Sequence, residues 1–267
     1  MGHVRARSRP SAGALAVLGL AVIFFVLPLA ATVQFSLQHG SQAITLAPYQ
    51  EIVSDPLFWG SLQFSVTMAL LTIVLGMLVV VPAAYWVRLR LPQAHGVVEF
   101  ICLLPFVVPG VVLAIGLARA YGSGNAGPLS NFQVLLVGAY TVLSLPFLFR
   151  AVDSGLRAID VRTLTEAALS LGAGWPAVLW RGVLPNIRAG LLAGAFLVFA
   201  IVLGEYTIAS LLGFSTLGVY TELEGAAHAH AAAALVVLSF ALVWSCIGLM
   251  QIVSGGGTRM LEGGGAR

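Results

Sequence analysis

Residues 59–87 read WGSLQFSVTMALLTIVLGMLVVVPAAYWV, an apolar run with no charged side chain, closed by Arg88 and Arg90. A hydrocarbon layer about 30 Å thick takes roughly 20 apolar residues per helix, so this stretch reads as a membrane-crossing helix with basic residues at one end. Comparable runs recur at about 12–33, 97–118, 132–149, 189–212 and 229–253. The chain as a whole agrees: of its 267 residues, 59% are apolar and 9% charged, against about 45–50% and about 25% in an average soluble domain. The fold class that follows is all-α, a polytopic membrane protein with six transmembrane helices.

With six crossings both termini share a side, and the basic residues choose it. Arg5, Arg7, Arg9, Arg88, Arg90, Arg150, Arg157, Arg162, Arg181, Arg188, Arg259 and Arg267 fall on the side of the termini, and only Arg119 on the other. The positive-inside rule then makes both termini, the 88–96 loop and the 150–188 loop cytoplasmic, and the 34–58, 119–131 and 213–228 loops external. The first run is longer than the 7–15 residues of a signal-peptide core, which favours an uncleaved span. The expected organisation is a cytoplasmic segment 1–11, a six-helix domain 12–253 and a Gly-rich flexible cytoplasmic tail 254–267, in a multi-pass membrane protein. Pro28, Pro82, Pro105, Pro109 and Pro146 interrupt the first four spans, which membrane helices tolerate when neighbours re-satisfy the freed carbonyls.

Several chemistries are excluded. All thirteen basic residues are Arg; without Lys there is no phosphate-binding P-loop lysine and no Schiff base, so any ATP hydrolysis belongs to another chain. Cys102 and Cys246 lie singly in apolar runs and read as small hydrophobes. His228 and His230, two apart on a helix, point to different faces, and no metal site is expected. The run Gly122-Ser123-Gly124-Asn125-Ala126-Gly127 matches a dinucleotide fingerprint but lies between two apolar helices, without the strand that gives that pattern meaning. It reads as a turn. No cofactor, catalytic residue or nucleic-acid partner is expected.

The loop of about 39 residues between the fourth and fifth runs is long enough to carry structure of its own. Thr163-Leu164-Thr165-Glu166 fits a capping box, in which Thr163 and Glu166 each satisfy the other's backbone amide. A short helix should start there, continue through Ala167, Ala168, Leu169 and Leu171, and stop at Gly172, which can take the left-handed conformation. Gly174, Trp175 and Pro176 open a second short helix, Trp175 and Trp180 should pack it on the bundle, and Pro185 marks the start of the fifth span. Two adjacent alanines followed by a glycine stop give a slim helix that suits insertion into another protein's groove.

The stretch EAALSLGAGWPAVLWRGVLP, Glu166 to Pro185, resembles the EAA loop of permease subunits in binding-protein-dependent type I ABC importers. Glu166, Ala167, Ala168, Gly172, Leu184 and Pro185 match that pattern at its offsets; its aliphatic position is Gly182 here, with Val183 beside it to pack instead. Leu104-Pro105-Phe106-Val107-Val108-Pro109-Gly110 and Leu203-Gly204-Glu205-Tyr206-Thr207 are similar to segments of the polyamine (spermidine/putrescine), ferric-iron and oxyanion importers. The resemblance implies a second permease subunit, identical or different, two ATPase subunits beneath, an extracytoplasmic substrate-binding protein, and a small polar or charged cargo such as a polyamine. It also implies that Glu166, Ala167, Ala168, Gly172, Leu184 and Pro185 couple to the ATPase.

Glu205 is the acidic residue deepest in a span, sixteen residues into the fifth, and an ionisable group there is functional by default. It is expected to line the translocation pathway with Gly204, Tyr206 and Thr207. The structural alternative is a pairing with a backbone amide, Tyr206, Thr207 or a partner's Arg. Two rival functions stand beside the importer: a proton-coupled secondary transporter using that carboxylate, and an intramembrane enzyme, for which no paired catalytic groups appear in the spans.

Overall fold

In a computed structural model of the protein, residues 12–38, 44–121 and 131–255 are described. Among them every regular element is helical: α1 (Ala12–Ser36), α2 (Ala47–Ser54), α3 (Pro56–Arg90), α4 (His95–Leu103), α5 (Gly110–Tyr121), α6 (Phe132–Arg157), α7 (Val161–Ser170), α8 (Trp175–Ala177), α9 (Leu184–Asn186), α10 (Arg188–Leu203), α11 (Thr207–Leu211), α12 (Leu217–Ala227) and α13 (Ala229–Gly255). Short 3-10 turns cover Pro92–Ala94 and Leu104–Phe106, and a π-helical turn covers Val178–Val183.

Four of these helices are long and apolar enough to cross a membrane unaided, at Leu15–Ser36, Pro56–Arg90, Phe132–Arg157 and Ala229–Gly248. The third apolar run is broken at the prolines expected to interrupt it, and the chain bends again just before the fifth run. Pro92–Phe106 meets Gly110–Tyr121 at 89°, and Trp175–Asn186 meets Arg188–Leu203 at 80°, so the described residues hold four candidate spans, or up to six if each bent pair counts as one. Pro105 and Pro109, and at the second bend Pro185, lack the N–H that would continue the helical ladder. Pro28, Pro82 and Pro146 lie inside unbroken helices.

The core is the bundle of α3, α6 and α10, where Leu136, Tyr140, Leu148, Val152 and Val198 are fully buried. A second cluster joins Ile52, Phe58, Leu203 and Tyr220 to Ala231, Ala234 and Leu235 of α13. In lipid there is little hydrophobic drive between helices, so close packing and hydrogen bonds hold such a bundle. The described side chains of α1 between Leu15 and Leu29 are exposed. Its far end meets α13 through Phe35, whose ring lies 4.2 Å from that of His230 and whose carbonyl lies 3.0 Å from His230 Nδ1.

Two opposed ends are polar. At one, the Asp55 carboxylate accepts from the Leu57 amide (2.9 Å) and the Tyr220 hydroxyl (2.6 Å), while Ser65 Oγ accepts from the Leu217 amide (2.7 Å). Burial and that carboxylate push the Tyr220 phenol well above its usual range. The loops expected to be external here contain helices, α2 and α12. The other end carries Arg88, Arg90, Arg157 and Arg162 and the loop between α6 and α10. Ser254 and Gly255, expected to begin a flexible tail, complete the last turn of α13. The rest of that tail, the segment 1–11 and the run Gly122–Gly127 lie outside the described residues.

Candidate functional site

At the Arg-rich end, α6 stops at Arg157 and the chain turns back into α7 through Asp160. Asp160 caps α7: its Oδ1 accepts from the Thr163 amide (3.1 Å) and its Oδ2 from the Thr163 hydroxyl (2.7 Å). These two bonds hold the exposed Asp160 carboxyl below the usual carboxylate range. This corrects the capping box expected from Thr163 and Glu166. A carboxylate has two acceptors, so Asp160 takes both Thr163 donors and starts the helix at Val161, leaving Glu166 Oε1 to accept from Arg162 Nε at 2.9 Å.

The other end of α7 matches the sequence. Gly172 has φ +83°, its amide bonds to the Leu169 carbonyl (2.9 Å) and that of Ala173 to Ala168 (3.1 Å), a complete Schellman stop. One face of α7 is fastened inward. Thr165 is buried, donates to the Val161 carbonyl (2.7 Å) and therefore receives the Tyr85 hydroxyl of α3 (3.0 Å). The six matched residues divide: Glu166, Ala167, Gly172 and Pro185 are exposed, whereas Ala168 and Leu184 are half-buried against the core.

In the second arm Val183 is fully buried beside Gly182, so it fills the place of the missing aliphatic residue. Trp175 packs edge-on to Trp86 (5.3 Å) and carries the Arg90 guanidinium 5.6 Å over its ring. Trp180, expected to pack as well, is 65% exposed. The π-helical turn that buries Val178 and Val183 leaves Trp180 on the outer side. A cavity of about 410 Å³ lies between α3 and α7, bordered by Arg90, Arg162, Glu166 and Trp175.

The sequence reading missed the group that ties this end together. Asp153 of α6, 5% exposed, accepts from Arg88 Nε of α3 (2.6 Å) and Arg157 Nε (3.0 Å), with His95 Nε2 of α4 3.1 Å away. The spacing of Asp153 and Arg157, one helical turn apart, is the only part visible in sequence.

The second candidate region is the break between α10 and α11. Glu205 does not lie within a continuous helix; α10 ends at Leu203 and the carboxylate caps α11 instead. Glu205 Oε1 accepts from the Ile208 amide (2.7 Å), and Oε2 accepts from the Ala209 amide (3.1 Å) and the hydroxyl of fully buried Tyr140 (3.0 Å). Within this chain the carboxylate thus pairs with backbone amides, as the structural alternative has it, and its side-chain partner is Tyr140. Gly204 and Tyr206 are exposed and Thr207 is half-buried. The Glu205 carbonyl is crossed by the next loop, and a Cβ on Gly218 would sit 2.7 Å from it. A Cβ on Gly110 would sit 3.8 Å from Thr207 and Ile208 side-chain carbons, so the two broken apolar runs meet at their breaks. At the expected metal-free histidines, His228 Nδ1 lies 3.3 Å from Glu224, and His230 faces Phe35.

Residues 81–254 match the family described as the binding-protein-dependent transport system inner membrane component. The chain is 31% identical over 163 residues to the molybdenum transport system permease protein ModB of Azotobacter vinelandii, covering 57% of this chain and 72% of that one. It is 28% identical over 217 residues to the spermidine/putrescine transport system permease protein PotB of Haemophilus influenzae, covering 72% and 74%. Its fold is similar to a chain of the MetNI methionine ABC transporter in inward-facing form, with TM-score 0.60, 20% identity, and coverage of 75% of this chain and 97% of that one. The relatives' names span different cargoes and do not single out polyamines, and none favours a proton-coupled carrier.

Proposed function

This chain belongs to the binding-protein-dependent transport system inner membrane component family, and from that premise we propose how a permease subunit of an ABC importer uses the two sites above. The reading has six crossings, with each bent pair as one span, and the Arg-rich end in the cytoplasm of a bacterial cell. Two ATPase subunits lie beneath that end, a second permease subunit lies alongside, and an extracytoplasmic binding protein delivers the cargo. Hydrolysis belongs to the ATPase subunits.

The observation that carries the coupling assignment is the build of α7. It is stopped at Gly172 in a left-handed turn, fastened inward by the Thr165–Tyr85 bond, and presents Glu166 and Ala167 outward. A helix so held moves as a unit, which is what transmission of a partner's closure requires. Glu166, Ala167, Gly172 and Pro185 face the ATPase, while Ala168 and Leu184 seat the loop on the bundle. The pathway is proposed at the meeting of the two helix breaks, since irregular backbone at membrane depth is tolerated where it lines a cavity. Gly204, Tyr206 and Thr207 line it, and Glu205 shapes it by holding the break open. The cargo is a small charged or polar solute.

The test is Gly172→Leu in the complex assembled with its ATPase and binding protein. Uptake and the stimulation of ATP hydrolysis by loaded binding protein should both fall; survival of both would remove the assignment. Uptake of labelled polyamine, ferric iron and oxyanions by a deletion strain identifies the cargo.

A further inference from the structure

Beside the Asp153 group lies a cavity of about 140 Å³ whose wall is Arg88, Pro92, His95 and Arg157. We propose that it binds a tetrahedral oxyanion group, either the phosphate of an anionic lipid or a free oxyanion. The charges are unequal: Arg88 and Arg157 share one carboxylate, Asp153, which is 5% exposed and does not line the cavity, while the nearby Glu99, 4.0 Å from His95 Nδ1, is shared with Arg150 at 3.7 Å. Asp153 engages only Nε of Arg88, and Nε and Nη2 of Arg157. Arg157 Nη2 also lies 3.5 Å from His95 Nε2, and among the described residues the other guanidinium N–H groups have no carboxylate or carbonyl acceptor. The Asp153 contacts hold the two Arg side chains in place, so little side-chain freedom is left to lose when an anion arrives. Arginine's planar fork suits phosphate and similar oxyanions.

The position fits either source. Arg88 directly follows the apolar run 59–87, the level at which lipid headgroups lie, and basic pockets between helices at such a level hold anionic headgroups. The same cavity is open enough to admit a free oxyanion with some of its water. His95 and Pro92 form the remaining wall and set its width.

The experiment uses the assembled transporter in lipid nanodiscs. Native mass spectrometry counts phosphatidylglycerol retained from discs of phosphatidylcholine and phosphatidylglycerol in equal parts, and calorimetric titration in phosphatidylcholine discs follows inorganic phosphate and sulfate. Arg157→Gln, which keeps the Arg88–Asp153 pair, should weaken binding about tenfold, the loss expected for a charged hydrogen bond. Pro92→Phe, which fills the cavity and leaves every charge, should weaken it similarly, and Arg119→Gln at the opposite end should leave it unchanged. Retention of phosphatidylglycerol without phosphate or sulfate binding assigns the site to lipid; binding of either free anion assigns it to a soluble oxyanion. The proposal is overturned if the unmodified transporter shows neither, a result that needs no variant to fold. It is overturned equally if Arg157→Gln and Pro92→Phe both bind like the unmodified protein. Neither readout depends on transport.

Discussion

Tyr140 in the first half of α6 donates its hydroxyl hydrogen bond to Glu205 at the break after α10, 3.0 Å away, although the two are 65 residues apart. That bond joins the helix core to the segment proposed to line the pathway. Because the carboxylate also takes two backbone amides, it holds the start of α11 against the bundle.

Removing the donor with Tyr140→Phe should lower the thermal stability of the purified complex by the worth of one hydrogen bond to a charged group, about 1.5–3 kcal/mol. Glu205→Gln should cost more, because its NH₂ group can be turned away from neither set of donors without leaving an amide unpaired. Equal melting temperatures for both variants and the parent would contradict this account.

The buried bond between Tyr85 and Thr165 predicts an asymmetry. With Tyr85→Phe, Thr165 keeps its own bond to the Val161 carbonyl, so the loss should be about 0.5–1.5 kcal/mol. Thr165→Val strands the Tyr85 hydroxyl inside the protein and should cost about 1–3 kcal/mol. Denaturation of the two variants side by side measures the order.

Asp160 sets a pH dependence at the start of α7. Its folded-state pKa is depressed by the Thr163 hydroxyl and amide, so its contribution is complete above the unfolded value of about 3.9 and disappears as pH falls through the lower folded value. Protection of the Thr163 amide from hydrogen exchange, corrected for intrinsic rate, should therefore be flat from neutral pH to about 5 and drop below about 4. Asp160→Asn should remove most of that acid-side drop.

Gly218→Ala places a methyl 2.7 Å from the Glu205 carbonyl oxygen, and the neighbouring backbone has little room to yield. A cost of about 1–3 kcal/mol is expected, as for other overpacked sites. Gly225→Ala, whose Cβ would meet only Ala232 at 3.6 Å, should be neutral or slightly stabilising. Circular dichroism melts of the two variants give the comparison.

Breaking the Asp153 group from its buried side should be severe. Asp153→Ala leaves the partly buried Arg88 without its counter-ion while the mostly exposed Arg157 can turn to water, and a loss of about 1–3 kcal/mol is expected. Expression and monodispersity of the complex should fall accordingly, whereas Arg162→Ala, whose pair with Glu166 is exposed, should leave both unchanged.

What could be read from the residues alone follows from local rules. The number and place of the apolar runs come from composition and from the length needed to cross hydrocarbon. The stop of α7 at Gly172 comes from the ease with which glycine takes φ of +83°, and the packing of Val183 in place of Gly182 from its position one residue on. Each depends on neighbours within a few residues. The cap of the same helix was misplaced because Asp160 and Thr163 both suit the role, and only the direction in which α6 delivers the chain lets Asp160 take it.

The rest was decided by which helices lie side by side. Tyr140 meets Glu205 across 65 residues, Arg88 meets Asp153 across 65, and Tyr85 meets Thr165 across 80. No spacing along the chain marks these pairs, since a polar side chain in an apolar helix takes whichever donor or acceptor the packed bundle brings within 3 Å. The bends at Leu104–Gly110 and Ile187 have prolines to announce them. That the first of them lies against side-chain carbons of Thr207 and Ile208 is a property of the assembled core, where close packing joins segments remote in the chain.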